Sequence, residues 1–161
     1  MEPSAHFVMQ VEVNEADIDS LGHVNNVAYV KWVQDVAVAH SDSVGLNLEA
    51  YQRLGAVFVI RRHEIDYLRS AMLGDAIELR TWIADVMAAK CIRATEIRRV
   101  ADGTLLAKGL TTWGFVDVAA QRPTRITDEL RAMFGIAARE RKRISAEPDV
   151  AIDELAVDRD K

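Results

Sequence analysis

The sequence predicts an α+β fold, in which one long buried helix packs on a curved antiparallel sheet of about five strands. Three observations predict it. Apolar and polar residues alternate with period two in several separate stretches, the signature of strands. Between the first of these and the rest lies a segment, 27–40, in which ten of 14 residues are apolar. Asp102-Gly103 separates two alternating runs and signals a tight hairpin.

The elements follow in chain order. Phe7, Met9, Val11 and Val13 alternate with Val8, Gln10, Glu12 and Asn14, giving a first strand. A polar loop runs from Glu15 to Asn25 and contains Gly22. Residues 27–40 (VAYVKWVQDVAVAH) carry only Lys31, Gln34, Asp35 and His40 as polar exceptions. A helix with so narrow a polar stripe is a buried helix, covered on most sides by its own protein. Asn25 or Asn26 supplies its N-cap, and Lys31 pairs with Asp35 four residues on. A linking turn is expected around Gly45 to Gly55. Strands are expected at 56–68, 75–86, 90–100 and 104–117, with close backbone approach or bulges at Gly109 and Gly114. A helix over 127–138 opens on Thr127, with Asp128 and Glu129 in its first turn. Consecutive hairpins make the sheet antiparallel, and a single long sheet leaves an edge that needs covering, for which strand pairing between two copies is one answer.

The chain of 161 residues is read as one domain, 1–138, followed by a charged tail, 139–161, with 13 charged residues in 23. Such a tail is expected to be partly disordered or helical. The formal net charge is −5, which argues against a nucleic-acid backbone or an anionic membrane as partner. No apolar run approaches the ~20 residues that span a bilayer, and the N-terminal stretch lacks the basic and apolar regions of a signal peptide. One cysteine, Cys91, leaves no internal disulfide and no cysteine zinc cluster; its alternating surroundings make it a small core residue. A cytoplasmic protein is expected.

The chemically dense stretch is Asp17 to Tyr29, just before the apolar helix. A helix start offers N–H groups without intrahelical partners and a partial positive charge. Amides near Asn26 and Val27 would make an oxyanion hole, and Asp19, folded back by the Gly22 loop, would attack a carbonyl or activate water. A plainer reading stands beside it. Asp17 and Asp19 suit turn-forming roles in a solvated loop, His23 suits a surface position, and Asn25 and Asn26 suit caps. No Gly-x-Ser-x-Gly elbow, phosphate-binding glycine loop or supported metal-ligand spacing is present.

Asp17-x-Asp19-x-x-Gly22-His23-Val24-Asn25-Asn26-x-x-Tyr29, followed by Trp32, resembles the hotdog-fold thioesterases, above all the 4-hydroxybenzoyl-CoA thioesterase-like and acyl-carrier-protein thioesterase groups. Arg62 to Tyr67, Gly74-Asp75 and the run from Trp113 to Asp117 add to the likeness, which covers about residues 6–135. The resemblance implies a helix wrapped by an antiparallel sheet and a homodimer or dimer of dimers with sites between subunits. It implies hydrolysis of an acyl-CoA thioester without metal or organic cofactor. Asp19 falls at the catalytic aspartate of one branch, and with His23 it matches the Asp and His of the plant carrier-protein motif, whose intervening Asn is Leu21 here.

The expected catalytic set is therefore Asp19, His23, Asn25 and Asn26, with Tyr29, Arg61 and His63 as substrate contacts. Tyr29, Trp32, Phe58 and Trp82 are expected to set the acyl pocket across the dimer. Release of acyl groups from acidic acyl carrier protein is the alternative, with Arg61, Arg62, Arg98 and Arg99 as its basic docking patch. A non-catalytic module that binds thioesters is the third reading.

Overall fold

A computed structural model describes residues 5–139; from residue 140 on, the charged tail lies outside the described residues. The chain order is β1 (Phe7–Glu12), a single 3-10 turn (Glu15–Asp17), α1 (Asn26–Ser43), α2 (Leu48–Leu54), β2 (Ala56–Tyr67), β3 (Ala76–Val86), β4 (Lys90–Arg99), β5 (Leu105–Asp117), β6 (Arg122–Pro123) and α3 (Asp128–Met133). The strands form one sheet in the order β1-β3-β4-β5-β2, with the two-residue β6 added to β5. All its pairings are antiparallel. The expected sheet is thus present, with β1 and β2 as its edges.

Helix α1 lies on the sheet through two apolar clusters. Near its N-terminal half, Ala28, Tyr29, Trp32, Val33 and Val36 pack with Ile77, Leu79, Ile97 and Leu106. Beyond its other end, Leu46 and Ala50 join Ile83, Cys91, Phe115, Leu130 and Phe134. The Lys31–Asp35 pair forms on the outer face at 2.5 Å. That face also exposes two valines, Val27 at 69% and Val38 at 56%. The chain by itself therefore covers α1 on the sheet side only, less than its composition suggested.

Three element boundaries differ from expectation. Residues 48–54 are helical rather than part of a turn: Asn47 caps α2 through Ala50 N–H (3.0 Å), and Gly55 ends it at φ +63°. α1 runs three residues past His40, and its last residue, Ser43, donates its hydroxyl to the His40 carbonyl at 2.7 Å. α3 stops at Met133, not 138, because Gly135 turns the chain at φ +70°. Thr127 caps it as expected, accepting from Leu130 N–H at 3.2 Å.

Leu79 has no exposed surface and fills the space beneath α1. Leu79→Ala is expected to cost about 2–5 kcal/mol. Val118→Ala, at an exposed position, should change stability by less than about 0.5 kcal/mol. Urea unfolding midpoints check both.

Candidate active site

The loop ahead of α1 is held by its own polar side chains. Asn14 and Asp17 form a reciprocal capping box around the 3-10 turn, with Asn14 N–H donating to Asp17 Oδ2 at 3.0 Å. Asp17 is thereby a structural residue. A tight hairpin follows, in which Ile18 bridges Val24 and Asp19 N–H donates to the His23 carbonyl at 2.8 Å. Gly22 sits inside it at φ +79°, a conformation that side-chain-bearing residues resist.

Asp19 is half-buried, and its two carboxylate oxygens differ. Oδ1 accepts from the amides of Leu21 (2.9 Å) and His23 (3.3 Å), as an Asx turn does. Oδ2 has no partner among the described residues. The turn-forming role and the chemical role are thus both open to one side chain. His23 contributes through its backbone, while its imidazole is exposed.

Asn25 is the N-cap of α1, accepting from Val27 N–H at 2.8 Å, and its own N–H donates to the Asp17 carbonyl at 2.7 Å. Val27 N–H is spent on this cap, so it cannot serve an oxyanion. Ala28 N–H donates to the Asn25 carbonyl at 2.9 Å. The amide of Asn26 is left without an acceptor among the described residues. The structure therefore groups Asp19, His23, Asn25 and Asn26 in one loop and helix start and narrows the free donor to Asn26.

The other expected residues lie elsewhere. Tyr29 is buried, and its hydroxyl accepts from Ala71 N–H at 3.1 Å. It stacks edge-on with Trp32 and Tyr67 and belongs to the core, not to a substrate surface of this chain. Tyr67, at the end of β2, reaches the Asn26 carbonyl with its hydroxyl at 3.4 Å. From that point His63 and Arg61 lie about 13 and 20 Å back along the strand. His63 bonds Thr111 Oγ1 through Nδ1 at 2.8 Å, its Nε2 is sealed without a partner, and burial pushes its pKa down.

The four arginines do not make one patch. Arg62 pairs with Glu64, Arg98 with Glu96, and Arg99 with both Asp75 and Asp102. Arg61 lies where β2 reaches Trp113 of β5, whereas Arg98 pairs with Leu105, about 26 Å away along β5.

A second polar feature was not anticipated. Arg93 of β4 is 4% exposed and lies on the inner face with Cys91, Thr95 and Ile97. Its period-two phase with those three residues was the available signal. Its Nη1 donates to His40 Nδ1 (2.9 Å) and Thr81 Oγ1 (3.2 Å), and its guanidinium stands 5.9 Å from the Phe134 ring centre. Burial pushes Arg93 down to about 10, so it stays charged at neutral pH. Burial, reinforced by that guanidinium, pushes His40 down to about 4. His40 is therefore neutral, with its proton on Nε2. A cavity of about 430 Å³ adjoins this pair, between the C-terminal part of α1, α2 and α3.

Among the described residues no group of three His, Cys, Asp or Glu side chains is placed to hold a metal ion. No helix among them is long and apolar enough to cross a membrane.

A sheet curled about one helix defines a hotdog-fold protein, and its likeness to thioesterases places it among the thioester hydrolases. The chain belongs to the thioesterase-like superfamily, whose family model matches residues 13–134. It is similar to the long-chain acyl-CoA thioesterase FadM of Escherichia coli, 26% identical over 76% of this chain and 92% of that protein. It is equally similar to the chloroplastic acyl-acyl carrier protein thioesterase ATL2 of Arabidopsis thaliana, 26% identical over 79% of this chain and 67% of that one. In fold it matches the 1,4-dihydroxy-2-naphthoyl-CoA thioesterase Slr0204 from Synechocystis, with a TM-score of 0.74 at 18% identity, covering 81% of this chain and 96% of that one. It also matches the Staphylococcus aureus protein SAV2348 in complex with CoA, with a TM-score of 0.76 at 17% identity, covering 98% and 99%.

The buried His40 makes a pH prediction. Unfolded, it titrates near ~6.5, so between there and about 4 the unfolded chain binds more protons and stability falls as pH falls. This group should remove about 2–3 kcal/mol between about pH 7 and pH 4. His40→Gln, which cannot titrate, should flatten the urea-derived stability profile by that amount. Parallel profiles for the two proteins would exclude His40 as the cause.

Proposed function

We propose that this chain is an acyl-CoA thioesterase that works as a homodimer or homotetramer. The observation that carries the reading is the split role of Asp19: one oxygen is fixed by two amides and the other is left free, in the loop that leads into the helix start where the Asn26 amide is also free. A thioester carbonyl lying on Asn26 N–H would be polarised by that donor and by the helix dipole. Asp19 Oδ2 then either takes a proton from water, whose hydroxide attacks the carbonyl carbon, or attacks that carbon itself. In the first route the C–S bond breaks, the CoA thiolate leaves with the proton that Asp19 took from water, and the free carboxylic acid remains. In the second, loss of the thiolate leaves the acyl group on Asp19 as an anhydride, which a water molecule then hydrolyses to the free acid while restoring the carboxylate. His23 and Asn25 act here by shaping the loop and the cap.

The edge strand supports the dimer. β2 offers 12 residues with unpaired backbone groups on its outer side, and Val57 to Ile60 are half-buried apolar residues. Such an edge invites pairing. A two-fold axis through β2 pairs it antiparallel with its own copy. The Tyr67 end of one strand, next to Asn26, would then lie by the Phe58 end of the partner strand. Phe58 lines the 430 Å³ cavity. The carboxylate of one subunit would thereby open toward an apolar cavity of the other, and Arg61, which has no ion pair among the described residues, would be available for the anionic CoA.

Acyl carrier protein is the second reading, favoured by the likeness to ATL2. The dispersed and mostly paired arginines give it no single docking face, so CoA is the preferred carrier. A lone buried Cys91 suits a reducing compartment, and the cytoplasm is the proposed setting.

Asp19→Asn keeps an Oδ1 acceptor for the loop and removes the charge. It should lower kcat toward a panel of acyl-CoAs by about 10²-fold or more, with the unfolding midpoint little changed. A folded Asp19→Asn enzyme with full activity would sink the assignment. A panel that is blank for the wild type would favour the binding module. Light scattering should give a multiple of the 17.9 kDa chain mass.

A further inference from the structure

The cavity beside α2 is lined mainly by apolar side chains, among them Phe58, Ile83, Val86, Leu130 and Phe134. Its volume of about 430 Å³ is of small-molecule size. Val38 and Leu48 line it while exposed at 56% and 72%, so it communicates with solvent along the outer side of α1. Two residues of its wall each carry a buried hydrogen-bond donor that has no acceptor among the described residues: Arg93 Nε and Trp113 Nε1. Arg93 is the more demanding. A guanidinium has five N–H groups. Its partners among the described residues, His40 Nδ1 and Thr81 Oγ1, engage Nη1 alone. The edge formed by Nε–H and Nη2–H is therefore unpartnered, and that edge has the spacing that receives both oxygens of a carboxylate.

The charge is as unmatched as the hydrogen bonds. No carboxylate of the described residues forms an ion pair with Arg93. Burial pushes the Cys91 thiol up to about 11 and the Tyr51 hydroxyl up to about 12, so both cavity-lining groups are neutral at neutral pH. Asp42 also lines the cavity, but it is an exposed residue and makes no ion pair with Arg93. Arg131, the other lining cation, donates its Nε–H to the Ala137 carbonyl at 2.9 Å. Arg93 thus leaves surplus donors and a positive charge in a mainly apolar wall.

We infer that this cavity binds an apolar chain ending in a carboxylate, whose two oxygens dock on the Nε–Nη2 edge of Arg93. Two molecules carry that chemistry. One is a free aliphatic acid. The other is an acyl-CoA whose chain ends in a second carboxylate at the far end from the thioester, a source that rests on the proposed hydrolysis. A neutral chain of equal length would fill the same space and leave the guanidinium unpaired.

The full-length protein is titrated calorimetrically with octanoate and with octan-1-ol. Octanoate should bind at least about ten-fold more tightly, as a charge-assisted bidentate pair requires. Arg93→Met, which keeps an apolar filler, should bind the two alike. Equal affinities in the wild type, or a carboxylate preference that survives Arg93→Met, would overturn the site. Trp113→Phe serves where Arg93→Met does not fold: it should weaken octanoate more than octan-1-ol, and an equal effect on both would count against the site. Turnover of suberyl-CoA against octanoyl-CoA then identifies the source. A higher kcat/KM for suberyl-CoA that Arg93→Met abolishes assigns the distal carboxylate, whereas equal rates with octanoate binding retained assign the free acid. Octanoate binding through Arg93 in a protein that hydrolyses no thioester keeps this site and removes only the proposed hydrolysis.

Discussion

The structure depends on one mismatch between a helix and its cover. Helix α1 has apolar residues on more of its circumference than a single sheet can reach. The sheet takes Ala28, Trp32, Val33, Val36 and Ala37, while Val27 and Val38 stay on the solvent side. Burying each fully would be worth about 1.5–3 kcal/mol, so the outer face favours association. The sheet ends in the same condition: β2 is long, apolar at its start and unpaired along one side. Helix and edge strand both leave groups that association would satisfy, and the two-fold pairing proposed for β2 would complete the edge strand.

The inside of the wrap is divided by a polar belt. Thr81, Thr95, Thr111, Arg93 and His40 are all buried and separate the cluster beneath Trp32 from the one beneath α2 and α3. Removing a charge from water costs several kcal/mol, and Arg93 recovers only part of that from His40, Thr81 and the Phe134 ring. Packing alone would be better served by an apolar residue at that position. A cation kept there at a cost to stability is the pattern of a site that answers to a ligand.

Much of this was legible in the residues. The alternation in 75–86, 90–100 and 104–117 located β3, β4 and β5 to within a residue or so at each end, because half-buried antiparallel strands show their two faces directly. The start of α1 was legible from Asn25, whose cap is a local interaction. α2 was missed although Asn47 and Gly55 bracket it, since nine residues between Gly45 and Gly55 look like a turn until packing decides. The arginine patch failed for a different reason. Asp75 reaches Arg99 from 24 positions away, and no linear pattern shows that pairing. Tyr29 sits in the motif next to the site yet is claimed by Ala71 from another loop. Arg93 was hidden by its residue type: its strand phase pointed inward, while an arginine suggests a surface.

The division of labour within the Asp17–Tyr29 stretch explains why turn-forming and chemical readings were both defensible. Each polar side chain there has a local structural task. Asp17 closes the capping box, Asn25 caps the helix, and Asp19 orders the hairpin through Oδ1. What distinguishes a site from a turn is what those tasks leave over, namely Oδ2 of Asp19 and the amide of Asn26. Within one chain these leftovers lie at the N-terminal end of α1, while the cavity begins at Ala37, about 16 Å further along the axis. A thioester cannot use both ends of one helix at once unless its chain runs that distance outside the fold. Because β2 carries Tyr67 at the first end and Phe58 at the second, a two-fold axis through that strand exchanges the ends between subunits. In the dimer proposed above, that separation within one chain would let two chains form each complete site.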